Sequence, residues 1–431
     1  MNEDLLQYVW QQKILLKHTL QTSSGEKLQI IKPGELNRNA GPDFFHAQIE
    51  CAGVFWAGNI EIHIKSSDWI KHGHSKDPAY DNVILHVVWE HDQIIYNKTK
   101  EEIPTLELKD LLPVSMLDKY VELQKTQFDI ACKGLFIKPP SEILYFWMER
   151  LVAERLELKY QQILHLLKDR NGHWEEVFYF QMASAFGQKI NALPFEILCK
   201  NLPYEIVQKN TLQSFSLQAL VLGVAGFLNK PMQSQYHLIL QREFNFLKSK
   251  YSLNTMDVSM WKFGKTRPAN FPTIRLFQFA ELMKNQRALL QFILEENNIK
   301  KVYAFLQWDV KQKIEIGELH PQGKASHYEK IALSKNMLDS LFINVFIPYL
   351  FSYGKVNGQE NLCIKALDWL EFIPGENNKI IEEWKSLGLT TTKAKETQAW
   401  IQLKNYYCKD KRCLKCAIGN YLLKPANAPA S

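Results

Sequence analysis

Near Pro140 the chain changes texture, and that change limits its folding options more than any single motif. Before it, short runs of β-branched and aromatic residues are punctuated by Pro33-Gly34, Gly41-Pro42, Ala52-Gly53 and Asp77-Pro78. After it, long stretches carry apolar residues at helical spacing, beginning with EILYFWMERLVAERLELKYQQILHLLKD. Two architectures must therefore share one chain. Its 431 residues exceed what one hydrophobic core usually organises, roughly 50 to 200 residues. A hydrophobic share of 46% against 23% charged residues gives both parts enough apolar surface to pack and excludes extensive disorder.

An opening helix is expected over 3–18, where Leu5, Leu6, Val9, Leu15 and Leu16 share a face. Strands are expected at Leu28–Ile31, Phe44–Cys51, Phe55–Lys65 and Val83–Trp89, with Ile94-Ile95 and Leu106–Leu108 beyond. Helices are expected at 174–190, 193–201, 204–209, 213–228, 238–250, 273–284, 286–297, 336–352, 360–372 and 377–386, while 300–330 reads as short strands or loop. The domain plan is thus a sheet unit over 1–125, a helical region over 140–400 and a cysteine-bearing segment over 401–423, an α+β organisation.

The start, with Glu3 and Asp4 where a secretory signal carries basic residues, and the lack of a long uninterrupted apolar run point to a cytoplasmic protein that does not enter membranes. Seven cysteines, four of them scattered, fit a reducing compartment better than a disulfide framework. The net charge of +6 permits a nucleic-acid partner without requiring one. Oligomeric state leaves no signal.

Chemistry concentrates in the sheet unit. Along Gly58-Asn59-Ile60-Glu61-Ile62-His63-Ile64-Lys65, strand alternation puts Glu61, His63 and Lys65 on one face and the isoleucines on the core face. A hairpin through Ala52-Gly53 would bring Asp43 near Glu61. Two carboxylates on adjacent strands can hold Mg²⁺ or Mn²⁺, which prefer oxygen ligands, and the cation can activate water for attack on a phosphate. The same residues can equally form a solvated face of a half-exposed strand. His72, His74 and Asp81 offer a second set of donors suited to zinc, whereas His86, inside an apolar run, reads as a hydrogen-bonded core histidine.

The order helix, strand, Pro-Asp strand, Glu-x-basic strand resembles the PD-(D/E)XK nuclease core, which implies a restriction-endonuclease-like sheet unit followed by a large all-helical region. By that resemblance Asp43 and Glu61 are the metal-binding carboxylates, Ile62 offers a backbone carbonyl, and Glu3 is a possible helix acid. The departure is His63 at the position of the family lysine, with Lys65 two residues later, so either could be the basic group. Separately, GELNRNAGPDFFHAQIECAGVFWAGNIEIHIKSSDWIKHGH, AYDNVILHVVWEHD, RPANFP and CLKCAIGNYLL resemble the bacterial domain-of-unknown-function 2851 family over nearly the whole chain, which implies a shared fold but no reaction.

Two further segments stand out. Lys265 and Arg275 flank RPANFP, which Arg267 opens, in a segment that also carries Trp261, a pattern suited to phosphate contact and base stacking, or else a proline-fixed turn that packs Phe271 inward. Cys408, Cys413 and Cys416 can present thiolates to one zinc ion or iron–sulfur cluster, with Cys132, Cys199, Cys363 or a histidine as fourth ligand. The readings weighed are a divalent-metal nuclease acting on DNA or RNA, and a non-catalytic assembly protein that binds nucleic acid or protein. A hydrolase of another class lacks a phosphate loop or a Gly-x-Ser-x-Gly elbow.

Overall fold

The computed structural model describes residues 1–15, 19–264, 266, 270–307, 313–315, 317–319, 328–330 and 332–424. The chain divides into two compact units, the first comprising Met1–Met148, Ser386–Leu389 and Ile401–Ser431, the second Glu149–Lys385 and Thr390–Trp400. The cysteine-bearing end therefore belongs to the same unit as the sheet.

In the first unit, helix α1 (Glu3–Gln11) starts where the Asn2 side chain accepts the Leu5 N–H at 3.2 Å, and Glu3 and Asp4 face the positive end of the helix dipole. It buries Leu5, Leu6, Tyr8, Val9 and Trp10. The helix is shorter than the 3–18 expected, because Gln12 closes it and Lys13 takes a left-handed turn (φ 51°). Leu15, though apolar and in phase, lies beyond it.

The sheet contains β1 (Leu20–Gln21), β2 (Lys27–Lys32), β3 (Glu35–Leu36), β4 (Phe44–Cys51), β5 (Val54–Lys65), β6 (Val83–Glu90) and β7 (Thr105–Glu107). Its order is β1-β2-β4-β5-β6-β7, with β3 also pairing with β4. The first part is antiparallel; β5, β6 and β7 run parallel. The β4–β5 hairpin turns on Ala52 and Gly53, both at positive φ (52° and 80°), as a tight two-residue connection requires. A parallel β5–β6 pair instead needs a crossover, which residues 66–82 supply through helix α2 (Asp68–Lys71) and two 3₁₀ turns. Close approach of these strands needs Gly58: a Cβ there would meet the Asn82 carbonyl oxygen at 2.6 Å and Ile84 at 2.5 Å. Ile94-Ile95 is a loop, not a strand; a bridge between Tyr96 and Glu102 closes it, and Ile95 is buried with Trp69 and Ile103.

Parallel pairing and the crossover cover both faces of β5 at its centre, so Ile60, Glu61, Ile62 and His63 are all buried. This corrects the expectation of a half-exposed strand. Helix α3 (Val114–Lys125) follows the sheet.

The second unit is built mainly of helices. Residues 174–190 and 193–201 form one run, Trp174–Asn201, kinked where Gln188 leaves helical geometry (φ 52°, ψ −149°). The 336–352 helix is instead Lys335–Leu341, a π-turn Phe342–Phe346 and Ile347–Val356. Lys335–Val356 is the one described helical run long and apolar enough to cross a bilayer, and 72% of its apolar window is buried within the protein. The expected 204–209 and 360–372 helices occur at those residues, and 300–330 contains helix Ile299–Leu306 and the antiparallel pair Lys313–Glu315 and Tyr328–Lys330.

Candidate active site

The turn entering β4 sets the first carboxylate. The Asn37 amide donates to the carbonyl oxygens of Asn39, Ala40 and Pro42 at 3.0, 3.2 and 3.0 Å, and Gly41 takes φ +103°. The Asn37 N–H donates to the Asp43 carbonyl oxygen at 2.7 Å, so Asp43 is fixed at the mouth of β4. Across the strand pair, the Asp43 N–H donates to Glu61 Oε2 at 3.1 Å while the Ile62 N–H donates to Asp43 Oδ2 at 3.0 Å. The two acids are thereby locked to each other's backbone. Gln7 of α1 donates to Asp43 Oδ1 at 2.8 Å, and Glu3, one helical turn earlier, lies close enough to raise the pKa of both carboxyls.

The other Glu61 oxygen faces imidazoles. Glu61 Oε1 stands 3.4 Å from His63 Nε2 and 3.3 Å from His74 Nε2. His63 Nδ1 contacts His86 Nε2 at 2.9 Å, and His63 Nε2 contacts His72 Nδ1 at 3.2 Å. His74 stacks on Tyr80, with ring centres 3.8 Å apart, above buried Trp69. His63, His72 and His74 offer nitrogens that all lie within 4.8 Å of one another. Asp81, read beforehand with His72 and His74, instead pairs with Lys98 at 2.9 Å. His63 takes its place, because the crossover folds 72–74 back over β5.

The electrostatics of this pocket are unfavourable for an empty polar core. Burial, with Asp43 and then Glu3 nearby, pushes Glu61 up to about 9 despite the Asp43 N–H. Burial also pushes Asp43 up to about 6, against the N–H of Ile62 and the amide of Gln7, and it raises Glu3. The imidazoles move the opposite way: burial, with His74 and His72 alongside, lowers His63 to about 3, and burial holds His86 well below its ordinary value and lowers His74. Crowded acids resist losing protons and crowded imidazoles resist gaining them, and a bound cation relieves both.

Lys65 is elsewhere. Its ammonium lies 3.7 Å from Glu90, half exposed, so of the two basic candidates His63 is the one that touches Glu61. Arg275 is a correction: it is 4% exposed inside the second unit, donating to Gln278 at 2.8 Å and Asn270 at 2.6 Å, and cannot reach a phosphate. Lys265 and Arg267 lie outside the described residues. Cys408, Cys413 and Cys416 are buried in the first unit. Glu3 carried only a family hint in the sequence, and Gln7 carried none; its place one turn after Glu3 is the signal that could have found it.

The profile of a family described as Protein of unknown function (DUF2851) matches residues 3–379. The chain belongs to that family. The matched span contains Glu3, Gln7, Asp43, Glu61 and all the pocket histidines, together with most of the helical unit, while the terminal cysteines lie past its end. No curated protein and no solved structure matches the DUF2851 chain.

Proposed function

We propose that the pocket holds a divalent cation, Mn²⁺ or Mg²⁺, and hydrolyses nucleic-acid phosphodiesters. The observation that carries this reading is the reciprocal backbone locking of Asp43 and Glu61, with Glu3 approaching from α1. Carboxylates held together while their mutual repulsion and burial raise their pKa values are poised to trade protons for a cation. Asp43 and Glu61 would hold it, with the Ile62 carbonyl as a third donor. Oxygen donors suit Mg²⁺ and Mn²⁺, and the imidazoles beside Glu61 tilt the preference toward Mn²⁺. When bound, the cation lowers the pKa of a water and offsets charge developing on the phosphate.

The chain's own residues supply the rest. Gln7 and the Ile62 N–H fix the Asp43 carboxylate, leaving little reorganisation on binding. His63 is kept neutral by burial and stands beside Glu61, so it can orient the attacking water by accepting a hydrogen bond from it. With His63 Nδ1–H donating to His86 Nε2, His63 Nε2 is left as the acceptor, 3.2 Å from Nδ1 of His72, which is exposed at the pocket edge. Two features favour nucleic acid as substrate. Strand alternation places Phe55, 59% exposed, on the Glu61 and His63 face of β5, where it offers a base-stacking surface. The likeness of Pro42-Asp43 and Glu61-Ile62-His63 in the sequence to the nuclease motif is the other.

The test is cleavage of single- and double-stranded DNA and RNA by the full chain with Mn²⁺ or Mg²⁺. Cleavage should stop with chelator and in Asp43→Asn and Glu61→Gln proteins whose circular dichroism is unchanged. Salt-sensitive binding without turnover in either metal overturns the catalytic reading in favour of a binding or assembly role.

A further inference from the structure

The C-terminal segment carries a second constellation, independent of the Asp43 pocket. Cys408 ends a π-turn (Lys404–Cys408), Cys413 opens a 3₁₀ turn (Cys413–Lys415), and Cys416 immediately precedes helix Ala417–Leu423. Cys132 lies on the loop after α3 in the same unit. All four are 9% exposed or less. Backbone and side-chain bonds draw the segment onto α3 and its loop: Gln124 donates to the Lys411 carbonyl oxygen at 3.1 Å, Lys411 donates back to that of Gln124, and Lys119 donates to that of Leu422 at 3.0 Å. Lys404 pairs with Asp129 at 3.1 Å.

The four cysteines lie in one buried region of the unit. Cys408 accepts the N–H of Ala131, the residue next to Cys132. Cys416 accepts the N–H groups of Ile418 and Gly419, an arrangement that favours a thiolate. Gly419 is required there, because a Cβ would lie 2.1 Å from the Cys413 carbonyl oxygen. Cys408 and Cys416 each lie within electrostatic reach of Cys413 and of each other. Cys132 lies within electrostatic reach of Cys416 and Cys413. Four neutral thiols in an apolar setting gain little from one another, since S–H is a weak donor; as thiolates they need a positive centre. Lys409, Lys411, Arg412 and Lys415 flank the site in sequence and offset its negative charge.

We propose that Cys132, Cys408, Cys413 and Cys416 are the four thiolate ligands of one metal centre, a zinc ion or an iron–sulfur cluster, that staples the C-terminal segment to the sheet unit. Four thiolates complete either kind of centre, and binding releases the thiol protons to solvent. Of the remaining cysteines, Cys199 and Cys363 belong to the other unit and Cys51 sits beside Glu26 on the sheet.

Metal analysis and visible absorption of the full chain, purified under reducing conditions without oxygen, test this. One zinc per chain, or iron with acid-labile sulfide and a broad visible charge-transfer band, is the expected result, and a mercurial thiol reagent should release it. Cys132→Ser and Cys408→Ser should lose the metal, whereas Cys363→Ser keeps it. If the loss variants are insoluble, Co²⁺ bound to the wild-type chain reports the ligands directly: thiolate-to-cobalt absorption of four-sulfur intensity supports the site, and that of two or fewer overturns it. A chain with neither zinc nor iron, a disulfide among these cysteines, or a Cys132→Ser protein with full metal content also overturns it.

Discussion

Replacing Glu61 with glutamine should change how the stability of the metal-free sheet unit depends on pH. Glu61 is 6% exposed, and its carboxyl is raised from an ordinary 4.5 to about 9. A raised acid stabilises the fold fully below its unfolded pKa, and that contribution drains away as pH rises through the folded value, because over this interval the folded state holds a proton that the unfolded state has released. Between about pH 6.5 and 8.5 the Glu61 contribution should fall by about 2 to 3 kcal/mol, at roughly 1.4 kcal/mol per pH unit while the folded group stays protonated. His63 and His86 work in the opposite sense. Their folded pKa values are lowered from 6.5, so each should regain about half a kcal/mol or less over the same interval as the unfolded imidazole finishes losing its proton. The difference between wild type and Glu61→Gln cancels the histidines and isolates the acid. Urea titrations of the full chain in chelator, read by pulsed hydrogen exchange in peptides from β4 and β5, would measure it. Wild type should lose stability relative to the variant by about 2 to 3 kcal/mol across the interval. Parallel pH profiles would refute the claim that Glu61 sits protonated in a crowded acidic pocket.

Two structural predictions complement this. Gly58→Ala should destabilise the sheet unit by about 1 to 3 kcal/mol, as measured by chemical denaturation, since the new methyl meets the Asn82 carbonyl oxygen at 2.6 Å and β5 and β6 must part to admit it. Arg275→Ala should leave nucleic-acid affinity unchanged in a filter-binding assay but lower the unfolding midpoint of the helical unit. It empties a buried site and strips the Gln278 and Asn270 amides of their donor, about 2 to 4 kcal/mol together.

Strands β4, β5 and β6 were legible in the sequence to within one residue at either end, because alternation and Gly/Pro punctuation are local signals. The helix boundaries at 204–209 and 360–372 were equally plain. What the sequence hid was set by contacts between distant segments. Glu61 and His63 fit a half-exposed strand until parallel pairing with β6 and the 66–82 crossover bury them, and a parallel pair leaves no local signature of its partner. The imidazole trio depends on that crossover bringing His72 and His74 over His63, so sequence spacing suggested Asp81 instead. The π-turn at Phe342–Phe346 and the kink at Gln188 interrupt helices whose apolar periodicity runs on undisturbed. Arg275 looked like a phosphate contact because a charged residue beside RPANFP reads as surface; its neutral amide partners, three and five residues away, explain its burial.

The central claim is that Asp43 and Glu61 share a cation, and anomalous diffraction from crystals of the full chain grown with Mn²⁺ tests it most directly. The account predicts a manganese peak bonded to both carboxylates on the Ile62 side of the pocket, lost in Asp43→Asn. No peak in the pocket, or one held by His63, His72 and His74 without Asp43, would contradict it.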